Sequence, residues 1–408
     1  MVSKFKVLQV IPKLGYGGAE TGCYDLAHYL KEVGCKSYII TSGGELIKYI
    51  DKKKVTLIKL PVHSKNPLLI LVNSIIISFI ILFLNISIVH ARSRAPAWSC
   101  YFATKITRRK FVTTFHGTYN FKSKIKKFYN SIMLRSDLTI AGSNFIFDHI
   151  HSNYSNLLTS KKKLLVIFRG INTEYYSNSN ISGEKLEKIN STLKLETEIF
   201  KILLPGRLTR WKGQEMFIEA LRLLKTKYNK TKFKAIILGP HQGRKVYFKK
   251  LLSMTEKNQL KDNIVFLSFY EEMPVAYYIA DAVVSASIEP EAFGRVAVEA
   301  QAMEKPILAS DLGGSKETII DGKSGFLFKN GNPDSLAEHL NNIIEMDKDK
   351  LQSIGNEGRK NILVKFDVEK MCQSTFTEYQ KLVKQKKMWS VSIFSNLKVV
   401  DTLFVKKD

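Results

Sequence analysis

The 408-residue chain carries 63 Lys and Arg against 37 Asp and Glu, a formal charge of +26, with 45% apolar and 25% charged residues. That composition excludes an intrinsically disordered chain, the length predicts two or three domains each with its own core, and the cation excess predicts an anionic partner. The excess sits at the front, where residues 1–180 hold 26 Lys and Arg against 8 Asp and Glu; a general preference for Lys leaves the scarcity of acids there unexplained.

The chain moves from Met1 straight into a strand-like run, Phe5 to Ile11, with no h-region or small-residue cleavage site, so the cytoplasm is the expected compartment. A glycine loop follows at Gly15 to Glu20, then a helix from about Ala19 to Val33, with further strand-like runs at 37–41 and 55–60. Cys23, Cys35, Cys100 and Cys372 are scattered without a Cys-x-x-Cys pair and read as buried thiols in a reducing compartment.

Residues 68–89 contain no charge over 22 positions, long enough to cross a bilayer. Asn73, Ser74, Ser78, Asn85 and Ser87 interrupt the run, and its end continues as a β-branched strand, so a buried helix followed by a parallel strand fits equally well. A single span would put the loops at residues 15 and 116 on opposite sides of the membrane; if those loops share a site, the span is excluded. Partial insertion into one leaflet stays open.

Strand runs continue at 86–91, 111–115 and 138–141, and an Asn- and Ser-rich stretch from Tyr176 to Glu198 reads as a linker. The alternation restarts with strands near 202–204, 234–238, 264–266, 282–286, 306–309 and 325–328, and with helices starting near Gln214, Lys245, Arg295 and Pro333. An amphipathic run, Asp367 to Lys384, predicts a closing helix, and a tail occupies 385–408. Alternating strands and helices predict α/β architecture: two Rossmann-like domains in tandem, at 1–180 (with 367–384) and 199–366.

Three segments carry chemistry. Gly17 and Gly18 let backbone amides approach an anion at a helix N-terminus, although a plain tight turn looks the same and the spacing is not that of a dinucleotide loop. Pro205 to Gln214 repeats strand, glycine turn and helix, with Arg207 and Lys212 able to face one phosphate; a solvated basic loop is the other reading. In EPEAFGRVAVEAQAMEKPILASDLGG, Glu289 to Gly314, the loop from Glu291 to Gly294 follows a strand, and a helix begins at Arg295 and Val296. Two helical turns set Glu299 roughly 10–12 Å from Glu291. That separation suits gripping two ends of an elongated ligand and is too long for the carboxylate pair of a retaining glycosidase.

Together with Phe293-Gly294, Arg207, Lys212 and the Gly17-Gly18-Ala19-Glu20 loop, this segment resembles the retaining glycosyltransferases of family 4, from about residue 5 to 382. The resemblance implies the GT-B fold, two Rossmann-like domains with parallel sheets facing a central cleft. It implies Glu299 on the ribose of a nucleotide-sugar and Glu291 on the transferred sugar. Arg207 and Lys212 would hold the diphosphate with amides of Gly17, Arg295 and Val296, and Phe293 and Gly294 would shape the sugar pocket. His116, in the turn TFHGT, would lie near sugar and acceptor, with Asp137 and Ser143 as weaker candidates. No cofactor is expected. Asp347-Lys348-Asp349 follows a helix at the surface, so a metal-independent enzyme is expected.

The run HARSRAPAW, His90 to Trp98, adds a resemblance to bacterial transferases of lipopolysaccharide core or capsule assembly. The first half's charge, with clusters at Arg108 to Lys110 and Lys122 to Lys127, predicts an anionic membrane surface and a lipid-linked or lipopolysaccharide acceptor, on the inner face of the plasma membrane. No zinc finger, RNP aromatics or basic aromatic helix supports nucleic-acid binding. A GT-B epimerase and a non-catalytic nucleotide-sugar binder are the remaining alternatives.

Overall fold

The computed structural model describes residues 5–119, 121–158, 163–193 and 198–384, so the tail at 385–408 lies outside the described residues. The described residues divide into two compact units, one running to Gly170 and taking up 368–384, the other Ile171–Asp367.

In the first unit, strands β1 (Lys6–Val10), β2 (Lys36–Thr41) and β3 (Val55–Lys59) alternate with helices α1 (Gly18–Glu32) and α2 (Pro67–Phe83). There follow β4 (Ile88–Ala91), α3 (Arg94–Thr107), β5 (Lys110–Phe115), α4 (Lys124–Ser131), β6 (Leu138–Ala141), α5 (Asn144–Tyr154) and β7 (Lys163–Val166). All pairings are parallel, in the order β3-β2-β1-β4-β5-β6-β7. The central strands are buried on both faces, which is why they read as continuous apolar runs.

The second unit opens with α6 (Gly183–Leu193), β8 (Phe200–Pro205), α7 (Gln214–Thr226), β9 (Phe233–Leu238), α8 (Lys245–Lys257), β10 (Ile264–Leu267) and α9 (Met273–Tyr278). It continues through β11 (Ala282–Ser285), α10 (Arg295–Ala302), β12 (Ile307–Ser310), α11 (Ser315–Thr318), β13 (Phe326–Phe328), α12 (Pro333–Glu345) and α13 (Lys348–Lys365). Its parallel sheet runs β10-β9-β8-β11-β12-β13. Each sheet reverses strand order once, between β1 and β4 and between β8 and β11, and ligands of doubly wound sheets bind at the carboxyl ends of such a switch point.

Three segments left open by pattern take a definite place. The described part of 176–198 is no free linker: α6 buries Ile189 and Leu193, Tyr176 is buried, and the unit boundary falls after Gly170. Residues 68–89 divide into α2 and β4, and Val89 pairs with Leu8 and Phe111 in the middle of the sheet. No described helix is long and apolar enough to cross a membrane. The closing helix, α14 (Val368–Lys384), packs on the first unit: Cys372, Phe376, Tyr379 and Leu382 join the core around Phe5 and Leu26.

Candidate functional site

In the second unit the chemistry gathers where β8 and β11 end. The loop after β8 makes a short turn at Arg210–Lys212, and Gly213, at φ 71°, starts α7. An added Cβ at Gly213 would lie 1.8 Å from the Ala286 carbonyl oxygen. The Ile288 amide donates to the Trp211 carbonyl at 2.8 Å, so the loops after β8 and β11 are held together by backbone. Across that seam the Lys212 ammonium donates to Glu291 Oε1, and the Ser287 hydroxyl donates to the same oxygen at 2.6 Å. Burial raises the Glu291 pKa, but Lys212, Ser287 and Arg207 outweigh it and hold the carboxyl below its ordinary value. The Glu291 backbone is fixed from the other side by the Gly314 amide at 2.7 Å.

Glu299, on α10, is 6% exposed. Tyr277 Oη donates to its Oε2 at 2.7 Å, and Arg295 Nε donates to Oε1 from one turn earlier. Tyr176 also reaches this carboxylate. Burial, then the Glu299 charge, pushes both phenols well above their ordinary range, so they remain donors. Burial lowers the Arg295 pKa, and Glu299 and Tyr176 reverse this to a net rise. Each carboxylate oxygen keeps further acceptor capacity for a ligand hydroxyl. Gly294, at φ 83°, turns the chain into α10, whose first amides belong to Arg295 and Val296. Phe293, expected to shape a sugar pocket, is 5% exposed, with its ring 5.6 Å from that of Phe366.

In the first unit, Gly17 and Gly18 begin α1 after β1 as expected. The Glu20 carboxylate folds back beside Gly17 and the Arg169 guanidinium lies against Gly18, so this glycine pair sits among opposite charges. His116 follows β5 and helps line a small cavity of about 20 Å³ with His90, Arg92, Thr114, Arg169 and Gly18. Both of its ring nitrogens are buried with no hydrogen-bond partner. Burial, then Arg169, Arg92 and His90, keeps the imidazole well below its ordinary pKa and neutral.

The weaker candidates have backbone partners. Asp137 accepts from the Phe111 amide at 2.8 Å, Ser143 caps α5 through the Ile146 amide, and Asp347 caps α13 through the Lys350 amide at 2.7 Å. Sequence reasoning missed Ser287, Tyr176, Tyr277, Arg92 and Arg169. The sole local signal was Arg169-Gly170 after an apolar run.

A glycosyl transferases group 1 model matches residues 186–361, and a glycosyltransferase family 4 model matches 16–175. A glycosyltransferase structure from Rickettsia africae is 37% identical, covering 94% of this chain and all of that one at a TM-score of 0.86. The Anabaena HepE structure with UDP and glucose is 24% identical, covering 92% of this chain and 100% of that one at a TM-score of 0.77. Staphylococcus aureus CapM, a capsular polysaccharide biosynthesis glycosyltransferase, is 25% identical over 57% of this chain and 58% of its own length. Matches to the first curated relatives thus span little more than half of those proteins. Two parallel α/β sheets, two family models covering successive halves, and a relative alike over its whole length lead to one conclusion: the chain belongs to the family 4 glycosyltransferases, with the GT-B fold.

Proposed function

We propose that the chain moves a sugar from a nucleotide-sugar to a membrane-associated glycan acceptor in cell-envelope polysaccharide synthesis, with retention at the anomeric carbon and without a metal. The observation that carries this reading is the Lys212–Glu291 pair at the β8/β11 switch point, beside Arg207 and the start of α10. Lys212 has three donors and spends one on Glu291, which links a diphosphate subsite to a sugar subsite through one ion pair. Arg207, Lys212 and the Arg295 and Val296 amides receive the charge that grows on the departing diphosphate. Glu291 accepts from hydroxyls of the transferred sugar, and Glu299, fixed by Tyr277 and Arg295, accepts from ribose hydroxyls. The bond from the anomeric carbon to the diphosphate oxygen breaks, and the bond to the acceptor oxygen forms on the same face. The acceptor's proton passes to the diphosphate. HepE's UDP makes a UDP-sugar the first donor to try, and CapM's role in capsule synthesis supports an envelope glycan.

The test is calorimetric titration with UDP, GDP and ADP in chelator, beside Glu299→Ala checked for a native melt. One nucleotide should bind without metal, and the variant should lose it. Binding to none of the three, or binding restored only by Mn²⁺ or Mg²⁺, would overturn the donor site or its metal independence respectively.

A further inference from the structure

Helix α2 is apolar all round, burying Ile77, Ile80 and Ile81 on its inner side, yet its outer side is the more apolar of the two. Its positions fall into two stripes at helical spacing, and the stripe turned to the protein is the more polar. Asn73 and Ser74 are each 1% exposed and Ser78 is buried with them. Asn73 donates to the Pro61 carbonyl at 3.3 Å, and Ser74 and Ser78 donate back to Ile70 and Ser74 carbonyls within the helix. The stripe turned outward holds Leu68, Leu71, Val72, Ile75, Phe79 and Phe83, with Leu68 at 68% and Phe79 at 69% exposure. Scattered apolar residues on a surface need no explanation, but a whole helix face does.

The face continues onto its neighbours. α2 packs along α3, where the Ser99 hydroxyl donates to the Ile70 carbonyl at 3.2 Å and Arg109 donates to Asn85 Oδ1 at 3.0 Å. The two helices therefore run side by side in one direction, and exposed Phe102 and Ile106 of α3 extend the surface. Trp98 carries it to α4, with its ring 6.0 Å from Phe102 and 5.6 Å from the half-exposed Phe128. Cations edge this surface: Lys105, Arg108 and Arg109 at the end of α3, and Lys124, Lys126 and Lys127 around the exposed Ile125 of α4. Seventeen residues rise about 25 Å, short of the roughly 30 Å hydrocarbon core, so α2 cannot span one.

We propose that the α2–α3–α4 surface docks on an anionic lipid bilayer, with α2 lying in the plane of the interface and its Leu68–Phe83 stripe sunk among the acyl chains. Apolar burial supplies the attachment, and the lysines and arginines at its edge choose anionic headgroups. The inference deepens the membrane-associated acceptor proposed above by naming the surface that reaches it, and it stands apart from the donor site.

Flotation of the full chain with phosphatidylcholine vesicles, with and without phosphatidylglycerol, tests it. The chain should float with the anionic vesicles, less so in high salt, and Ile75→Glu with Phe79→Glu should lower the bound fraction by about tenfold or more. Nucleotide binding by the same double variant should equal that of the unaltered chain, which separates failure of the surface from failure of the glycosyltransferase reading. A Phe79→Trp variant should be quenched by vesicles with brominated acyl chains, a readout that does not depend on the charged variants folding. No flotation, flotation indifferent to the double substitution, or a dimer that the double substitution splits while vesicles go unbound would each overturn the proposal, the last by assigning the face to a second copy.

Discussion

Lys212 and Glu291 lie 79 residues apart and meet in a part-buried setting, so each sets the state of the other. Lys212→Ala leaves the Glu291 carboxyl to the burial that raises its pKa, with only Ser287 and Arg207 to oppose it. Turnover should fall about 10²–10³-fold, and the acid limb of the rate profile should move to higher pH, because a carboxyl that loses its cation protonates sooner. Initial rates across pH check both. His116 and His90 form the other residue-scale case. Burial first, then Arg169, Arg92 and His90 around His116 and Arg92 around His90, holds both imidazoles well below the ordinary value. The unfolded chain binds protons at these rings near pH 6.5 and the folded chain does not, so stability is present above about pH 6.5 and is lost as pH falls below it. Melting temperature should drop between pH 7 and 5, and His116→Asn should flatten the slope; an unchanged slope would mean the ring protonates in the fold.

At the scale of elements, the seam between the loops after β8 and β11 depends on one glycine. A side chain at Gly213 meets the Ala286 carbonyl oxygen, and its backbone lies in the left-handed region. Gly213→Ala should cost about 2–4 kcal/mol in denaturant unfolding and abolish nucleotide binding by parting Lys212 from Glu291. The sequence announced α7, α8, α10 and α12 at the residues where they begin, because Gly or Pro marks three of the four starts and an apolar period follows. It gave no sign of α13. That helix packs through Gly355 against the Glu304 carbonyl, Gly358 against Gln301 and Asn361 bonded to Gln301, so glycines and an amide share its buried face with Ile354 and Ile362 and thin out the apolar period. The stretch that holds α6 reads as a linker because it is rich in Asn and Ser ahead of the helix and the helix itself buries only Ile189 and Leu193.

On the scale of the whole molecule, the chain leaves the first unit after Gly170 and returns to it at Val368. The returning helix supplies Phe376, stacked 5.8 Å from Phe5, and Tyr379, whose hydroxyl meets buried His90 Nδ1 at 2.5 Å. A chain stopped at residue 367 should lose a share of its first-unit stability on the order of 5–10 kcal/mol, comparable to the total stability of a typical domain. Protection from hydrogen exchange should therefore vanish across β1, β4 and β5 while the sheet of the second unit keeps its own; equal protection in both would refute the helix's role as core.

Local pattern determined much of this protein. Strands buried on both faces must be apolar wherever they lie, a glycine turn between strand and helix leaves its first amides open to an anion, and Gly294 marks the start of the helix that carries Glu299. These features put Arg207, Lys212 and Glu291 in loops that follow strands and Glu299 on a helix, as the fold has them. Only the tertiary structure decided which groups meet: Lys212 with Glu291, Tyr277 and Arg295 on Glu299, and Phe293 on Phe366. It also decided that α2 turns its serines inward and its leucines outward. Composition sets how apolar a helix is, but the direction it faces depends on what packs against it, and those neighbours are chosen through space.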